Sequence, residues 1–209
     1  MEQSSTNQKR NQILYVIATV FIVLLLDQWL KVYIKTSFTL GESRMIIDDW
    51  FELHFTENPG MAFGLTFGGK WGKIILTLFR IIASGVIIFY IRELIREKSS
   101  TLMIILVSLI LAGAVGNIVD SLFYGQLFGA SSYHTVAQFM PGNGGYAPLF
   151  MGKVVDMFYF PIIDTFWPEW VPYFGGSRLQ FFRPVFNVAD AAISIGVFTI
   201  IIFRKRLLV

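Results

Sequence analysis

The chain has 209 residues, of which 55% are hydrophobic and 15% are charged, and its mean hydropathy is +0.61. A soluble domain carries more charge than this, so the composition indicates a membrane protein with a few spans and no separate soluble domain. The net charge of +3 does not indicate a nucleic-acid ligand, because the basic residues cluster at the ends of apolar runs, as membrane topology requires. The absence of Cys from the sequence excludes disulfides, thiol nucleophiles and Cys-based metal sites.

Four apolar runs predict four transmembrane helices. Their predicted bounds are about 13–34, 73–91, 101–122 and 185–203. The first run starts like a signal peptide, but no small-residue cleavage site follows it and apolar sequence continues past Lys31, so we expect it to stay as a span. Arg80 is near the middle of the second run, where we expect it to be buried against a polar partner or a water pocket. Residues 1–209 are expected to form a single membrane-embedded domain.

Basic residues predict the orientation of these helices. They lie before the first run, between the second and third, and after the fourth, at Lys9, Arg10, Arg92, Arg96, Lys98, Arg204, Lys205 and Arg206. In a four-span arrangement all of these positions fall on one side, and the positive-inside rule makes that side cytoplasmic. Both termini are then cytoplasmic, and the segments 35–72 and 123–184 lie outside.

The two outer segments differ in character. Residues 44–55 are rich in β-forming residues that partly alternate, which predicts a short sheet or ribbon, and a turn signal follows at 57–60. The second segment is rich in Gly, Ser and aromatic residues over 124–153 and in Pro, Trp and other aromatic residues over 159–184. Amphipathic rings are typical of the headgroup level, so we prefer membrane anchoring to substrate contact as their role.

Four aspartates stand in or beside the predicted spans, where a carboxylate is costly and is a functional candidate by default. They are Asp27, Asp120, Asp156 and Asp190, and the charge topology places all four near the outer face. Two of them repeat one pattern, Asn117-x-x-Asp120 and Asn187-x-x-Asp190, in which residues three apart share a helix face. Two carboxyl groups in one site can share a proton and hydrolyse a peptide with water.

Each aspartate also has a structural interpretation. Asp27 and Lys31 are four residues apart, so we expect an ion pair rather than a catalytic role. Asp120 could brace the end of the third span, Asp156 could be a solvated loop residue, and Asp190 could complement the dipole of its helix. Spacing alone does not select the catalytic pair.

Five short motifs, in order along the four predicted spans, resemble those of bacterial lipoprotein signal peptidases, the type II signal peptidases. They are Asp27-Gln-Trp-Leu-Lys31, Asn58-Pro-Gly60-Met-Ala-Phe63-Gly, Gly113-Ala-Val-Gly116-Asn117-Ile-Val-Asp120, Val154-Val155-Asp156 and Phe186-Asn187-Val-Ala-Asp190. Each motif is weak alone, whereas all five in this order are highly specific.

The resemblance implies an intramembrane aspartyl endopeptidase that removes the signal peptide of diacylglyceryl-modified prolipoproteins by cleaving before the lipidated Cys. It implies a small extracytoplasmic β-cradle over 44–67 on an otherwise all-α membrane fold. The implied roles are catalysis for Asp156 and Asp190, substrate binding for Asn58, Gly60, Asn117 and Asn187, and support for Asp27, Lys31 and Asp120. The implied protein is a monomer of the bacterial cytoplasmic membrane, with its active site near the extracytoplasmic face. Its expected partners are the prolipoprotein substrates and membrane lipid, without nucleic acid, metal or cofactor.

The sequence departs from the family pattern at three places. Ser121 stands where the family usually has Arg, and Arg178 or Arg183 could supply the missing contact. The stretches between Asp120 and Asp156 and between Asp156 and Asn187 are longer than usual. We prefer lineage-specific decoration to a lid over the active site as the role of these insertions.

Two other functions fit the sequence less well. A proton-coupled transporter or channel also uses membrane carboxylates, but relay acids should be spread in depth, whereas these gather near one face. A non-catalytic membrane assembly factor could keep the same fold and act through its loops.

Overall fold

The computed structural model describes residues 2–48, 50–59, 69–161, 163–181 and 184–207. These residues form five α-helices, five strands and one π-helical turn. In chain order they are α1 Glu2–Ser37, β1 Ser43–Ile47, β2 Phe51–Asn58, α2 Gly69–Arg96, α3 Thr101–Val119, the π turn Asp120–Tyr124, α4 Gly125–Leu127, β3 Val154–Tyr159, β4 Ile163–Phe166, β5 Arg178–Phe181 and α5 Val188–Leu207. A helix thus occupies each predicted span. The helix α1 starts earlier than expected, because the polar residues that precede the apolar run include good helix formers.

Within the described ranges, three helical stretches are long and apolar enough to cross a membrane, at Thr6–Ser37, Gly69–Arg96 and Thr101–Leu127. Their outward faces keep large apolar side chains exposed, and Phe21 and Phe79, for example, are 63% and 65% exposed. Apolar surface on this scale is typical of contact with lipid. The chain is therefore a multi-pass membrane protein. The helix α5 carries an acid in its first turn and three basic residues in its last turn.

The central helix is α3, which packs against α1, α2 and α5. Two glycines allow the close approach. A Cβ atom on Gly113 would lie 2.2 Å from the carbonyl oxygen of Ala189, and one on Gly116 would lie 2.7 Å from Oδ2 of Asp27. Small residues let membrane helices pack this closely. As a result, α1 and α5 approach the same stretch of α3.

The strands β1, β2 and β3 form an antiparallel sheet in that order. The hairpin β1–β2 lies within the predicted cradle, although residues 60–67 of that prediction lie outside the described residues. The strand β3 comes from the second outer segment, and its pairing places Asp156 opposite Thr56 and Val154 opposite Asn58. The alternative that Asp156 is a solvated loop residue is wrong, since it is 3% exposed within a strand.

The chain returns to β3 just before α5. The backbone N–H of Phe186 donates to the carbonyl oxygen of Phe158 at 3.1 Å, and the carbonyl oxygen of Phe186 accepts from the N–H groups of Phe158 and Met157 at 2.7 and 3.2 Å. These three bonds fix the start of α5 beside β3, the strand that carries Asp156. They place Asn187 next to Asp156.

The long connection between α4 and β3 packs against the π turn and α4, which follow α3. The N–H groups of Gly152 and Ala147 donate to the carbonyl oxygens of Ser121 and Gly125 at 3.0 and 2.9 Å. Carbonyl groups at a helix end need such partners when water is excluded. A Cβ atom on Gly152 would lie only 2.0 Å from the carbonyl oxygen of Asp120, so this approach requires glycine. The first insertion is therefore built into the structure that surrounds Asp120.

Candidate active site

Asn187 links the carboxylate of Asp156 to the backbone of Asp190, the two residues to which the resemblance assigns catalysis. Its side-chain Nδ2 donates to Oδ1 of Asp156 at 2.6 Å, and its Oδ1 accepts from the backbone N–H of Asp190 at 2.9 Å. The second bond is an N-terminal cap for α5, because it satisfies one of the free N–H groups of the first turn. One buried amide thus fixes the distance between a strand and a helix. Asp156 and Asp190 lie within electrostatic range of each other.

A second amide, Asn117 on α3, holds Asp190 from the other side. Its Nδ2 donates to Oδ1 of Asp190 at 2.8 Å, and its Oδ1 accepts from Nζ of Lys31 at 3.1 Å. The Asn-x-x-Asp pattern of α5 and the Asn of α3 therefore meet in one hydrogen-bond network. Because Asn117 is 4% exposed and receives a bond from a cation, its orientation is fixed.

The cation in this network, Lys31, lies in a fully buried cluster of charges. Its Nζ is 2.8 Å from Oδ2 of Asp27 and 2.8 Å from Oδ2 of Asp120, and none of the three side chains is exposed. The predicted ion pair between Asp27 and Lys31 is confirmed. Nε2 of Gln28 donates to Asp27 and Asp120 at 3.0 and 2.9 Å, and Oδ1 of Asp27 accepts from the backbone N–H of Ala189 at 2.9 Å. The cluster ties α1 to α5 and to the π turn that follows α3.

Asp156 holds its proton more tightly than an ordinary carboxyl group. Burial raises its pKa to about 7, and the charge of Asp190 acts in the same direction. Hydrogen bonds from Asn58 and Asn187 oppose the rise, because they stabilise the carboxylate. Near neutral pH the carboxyl group of Asp156 is therefore protonated for a large part of the time.

A second ion cluster surrounds the buried carboxylate of Glu57 and connects β2 with the residue that precedes β3. Glu57 of β2 is paired with Lys35 of α1 and with Lys153, which precedes β3, at 2.5 and 2.7 Å. Ser131 donates to the same Glu57 carboxylate at 2.8 Å. Burial opposes ionisation of Glu57, but the charge of Lys35 and the hydrogen bonds from Lys153, Lys35 and Ser131 outweigh it and lower its pKa. Through Ser131, this cluster links the first insertion to β2 and to α1.

The structure brings together most of the site residues expected from the sequence. Asp27, Lys31, Asn58, Asn117, Asp120, Asp156, Asn187 and Asp190 form one connected set. Gly60 and Arg183 lie outside the described residues. The hydroxyl of Ser121 is buried and donates to the carbonyl oxygen of Asn117 at 2.9 Å. Ser121 therefore bonds within its own turn and does not supply the contact expected of the family's Arg.

Sequence reasoning missed three residues: Gln28 and Tyr124, which join this set, and Glu57 of the second ion cluster. Gln28 bridges two acids, and the hydroxyl of Tyr124 donates to Oε1 of Gln28 at 3.1 Å. The position of Gln28 next to Asp27 was a usable signal, because a polar pair inside an apolar run is itself unusual. Glu57 gave no signal, since its partners are 22 and 96 residues away. In the part of the chain described here, no group of three or more His, Asp or Glu side chains is arranged to hold a metal ion.

A family comparison agrees with this geometry. The sequence pattern of the family described as signal peptidase (SPase) II matches residues 19–205, which include every element of the site. The chain belongs to the signal peptidase II family. Membership makes it a peptidase and sets aside the transporter interpretation. It also confirms the resemblance seen in the five motifs.

Relatives of this signal peptidase II chain cover nearly its whole length. It is 46% identical over 192 residues to the lipoprotein signal peptidase of Porphyromonas gingivalis, covering 91% of this chain and 83% of the relative. It is 39% identical to the lipoprotein signal peptidase of Amoebophilus asiaticus, covering 88% and 75%. A bacterial membrane enzyme solved by the in meso method at 2.3 Å resolution has the same fold, with a TM-score of 0.57 and 24% identity over 91% of this chain and 87% of that one.

Proposed function

We propose that this protein is an intramembrane aspartyl endopeptidase that removes the signal peptide of diacylglyceryl-modified prolipoproteins by cleaving before the lipidated Cys. The observation that carries the proposal is the contact of Asn187 with both residues, because its amide binds the carboxylate of Asp156 and the backbone N–H of Asp190 and so holds the two carboxyl groups within electrostatic range. The relatives named lipoprotein signal peptidase support the choice of substrate. In this proposal Asp27, Lys31 and Asp120 support the dyad, and substrate binding is assigned to Asn58, Gly60, Asn117 and Asn187.

In the proposed mechanism the two carboxyl groups have different roles. Asp190 is ionised and accepts a proton from water, whose oxygen attacks the scissile carbonyl carbon. Asp156 is protonated, as its raised pKa favours, and transfers its proton to the carbonyl oxygen. The resulting tetrahedral diol collapses when Asp190 returns its proton to the leaving nitrogen and a hydroxyl proton returns to Asp156. The C–N bond breaks, one water is consumed, and both carboxyl groups regain their starting states.

The proposed function is tested with a lipidated substrate and its unmodified form. Purified protein is incubated with a diacylglyceryl-modified prolipoprotein and with the same precursor lacking the lipid. We expect cleavage of the lipidated form alone, with mass spectrometry showing the lipidated Cys as the new N-terminal residue. Failure to cleave, or a cut at another bond, would contradict the proposal.

The raised pKa of Asp156 predicts the alkaline limb of the pH profile. Because catalysis needs the protonated form of Asp156, kcat/KM is expected to fall as pH rises through about 7. The hydrogen bond from Asn58 lowers the pKa of Asp156, so Asn58→Ala is expected to move this limb to higher pH. The measurement is kcat/KM against pH for both proteins. A limb that moves to lower pH in Asn58→Ala would contradict this account of the dyad.

We further propose a four-span topology in which α5 is the fourth span of one membrane-embedded domain, with both termini cytoplasmic. The basic residues in the last turn of α5 support it, and Asp190 at the opposite end then lies near the extracytoplasmic face. The setting is the bacterial cytoplasmic membrane, where the protein acts as a monomer in contact with lipid. Reporter fusions after residues 98 and 206 should both report cytoplasm. An external signal from either fusion is incompatible with this topology. Cross-linking in the membrane tests whether the protein is a monomer.

A further inference from the structure

The helix α2 has a polar stripe on the side that faces the protein. Over its first two-thirds the buried residues are Lys73, Thr77 and Ser84, and buried apolar residues begin only closer to its end. Arg80 falls on the same face, because positions three and four apart align along a helix. We use the term α2 polar stripe for Lys73, Thr77, Arg80 and Ser84. A polar face of this kind inside a bilayer indicates a functional surface.

Arg80 differs from two other members of the stripe. Nζ of Lys73 donates to the carbonyl oxygen of Met151 at 3.1 Å, and the hydroxyl of Thr77 donates to the carbonyl oxygen of Lys73 at 2.9 Å. By contrast, Nη1 of Arg80 is buried without a hydrogen-bond partner among the described residues. A guanidinium stays charged at all physiological pH values, and leaving one of its donors buried and unpaired is costly. This energetic cost indicates that the unpaired donor of Arg80 binds a ligand.

The position of Arg80 specifies where that ligand lies. Arg80 is within electrostatic range of Asp190, Asp120 and Asp156, although no salt bridge joins it to any of them. Side chains on a helix lean toward its N-terminus, so Arg80 leans toward the end of α2 at which Gly69 lies. A pure counter-ion role is disfavoured, because Asp120 already has Lys31 as its partner. Arg80 instead adds positive charge and hydrogen-bond donors to the approach to the dyad.

We propose that Arg80 binds the substrate by donating hydrogen bonds from its guanidinium to backbone carbonyl oxygens of the signal peptide beside the scissile bond. The inference rests on the proposed function. An extended peptide that enters a bilayer needs donors for its carbonyl groups, since no water supplies them. The planar guanidinium offers several donors in a fixed fork, which suits neighbouring carbonyl oxygens better than an ammonium does.

The test compares Arg80→Gln and Arg80→Lys with wild type in the full-length protein. Loss of hydrogen bonds from a charged donor is expected to raise KM for lipidated prolipoprotein roughly 10- to 100-fold in Arg80→Gln, with a much smaller change in kcat. Arg80→Lys keeps the charge without the fork and should recover only part of the loss. Because Arg80 lies within electrostatic range of Asp156, loss of its charge in Arg80→Gln should also move the alkaline limb of the pH profile to higher pH, whereas Arg80→Lys should leave the limb in place. Arg92→Gln, an exposed change near the other end of α2, is the matched control and should leave KM unchanged.

Two results would overturn this assignment. An unchanged KM with a shifted pH limb would show that Arg80 acts on the charge of the dyad, and unchanged kinetics would show that it has no role. Thermal unfolding identifies any variant that fails to fold, in which case Arg80→Lys alone decides. If the wild type cleaves no lipidated precursor, that result contradicts the proposed function and not the role of Arg80. Binding of the lipidated precursor to Asp190→Asn, with and without Arg80→Gln, then still tests the role of Arg80.

Discussion

Replacing Asp190 by Asn is expected to lower the cleavage rate of lipidated prolipoprotein by about 10²- to 10⁴-fold, the usual contribution of a general base. The substitution keeps the shape of the side chain and leaves the Asn117 amide in place, but it removes the group that accepts a proton from water. Asp156→Asn should have a comparable effect, because it removes the proton donor. The double variant should be little worse than either single variant, since the two groups act as one unit. The rate of release of the mature product from lipidated precursor measures all three.

The matched control for these variants is Asp48→Asn. Asp48 is an exposed aspartate beside β1 and should be replaceable without effect on the rate. Each dyad variant should also unfold at a temperature close to that of wild type and still bind the precursor. If both dyad variants cleave as fast as wild type, the aspartyl mechanism is wrong, even though the chain remains a member of the family.

Lys31→Met is expected to have the largest effect on stability. The substitution leaves two fully buried carboxylates, Asp27 and Asp120, without their shared cation. Removing one partner of a buried ion cluster typically costs ~3–5 kcal/mol. Because Lys31 also holds Asn117, which holds Asp190, cleavage should fall together with stability. The measurement is thermal unfolding in detergent, followed by the cleavage rate well below the melting temperature.

Neutralising the cluster gives the decisive comparison for Lys31. A triple variant, Lys31→Met with Asp27→Asn and Asp120→Asn, removes the uncompensated charge and should recover much of the lost stability. Lys70→Met, at an exposed site at the start of α2, should change neither stability nor rate. A single Lys31→Met variant as stable as wild type would show that the cluster contributes little to the fold.

The helices and most of the site could be predicted because each depends on a local signal. Long apolar runs indicated the spans, and a carboxylate within or beside such a run is conspicuous because it is costly there. The Asn-x-x-Asp repeat also identified Asn117 and Asn187, and both amides contact the dyad. For Asp156 and Asp190 it was the family motifs, rather than spacing, that separated catalytic candidates from structural ones.

The parts that escaped prediction depend on contacts between distant residues. The strand β3 is buried and only six residues long, so its alternation is hidden, and its partner β2 lies in the other outer segment. Glu57 was not expected to pair with Lys153, 96 residues later. Arg178 and Arg183 were considered for the missing arginine, and Arg80 on α2, which lies within electrostatic range of the acids, was not. No local sequence pattern indicates which face of a helix will contact a site that other helices and strands form.

The bond from the Ala189 backbone to Asp27 spans 162 residues and joins the first helix to the last. During biosynthesis the ribosome therefore completes α1 long before it synthesises Ala189, whose backbone N–H donates to Asp27. A nascent chain halted before α5 lacks Asp190, the Asn187 amide and this bond, whatever has already entered the membrane. Under the proposed mechanism, proteolytic activity therefore arises only after α5 has left the ribosome and inserted.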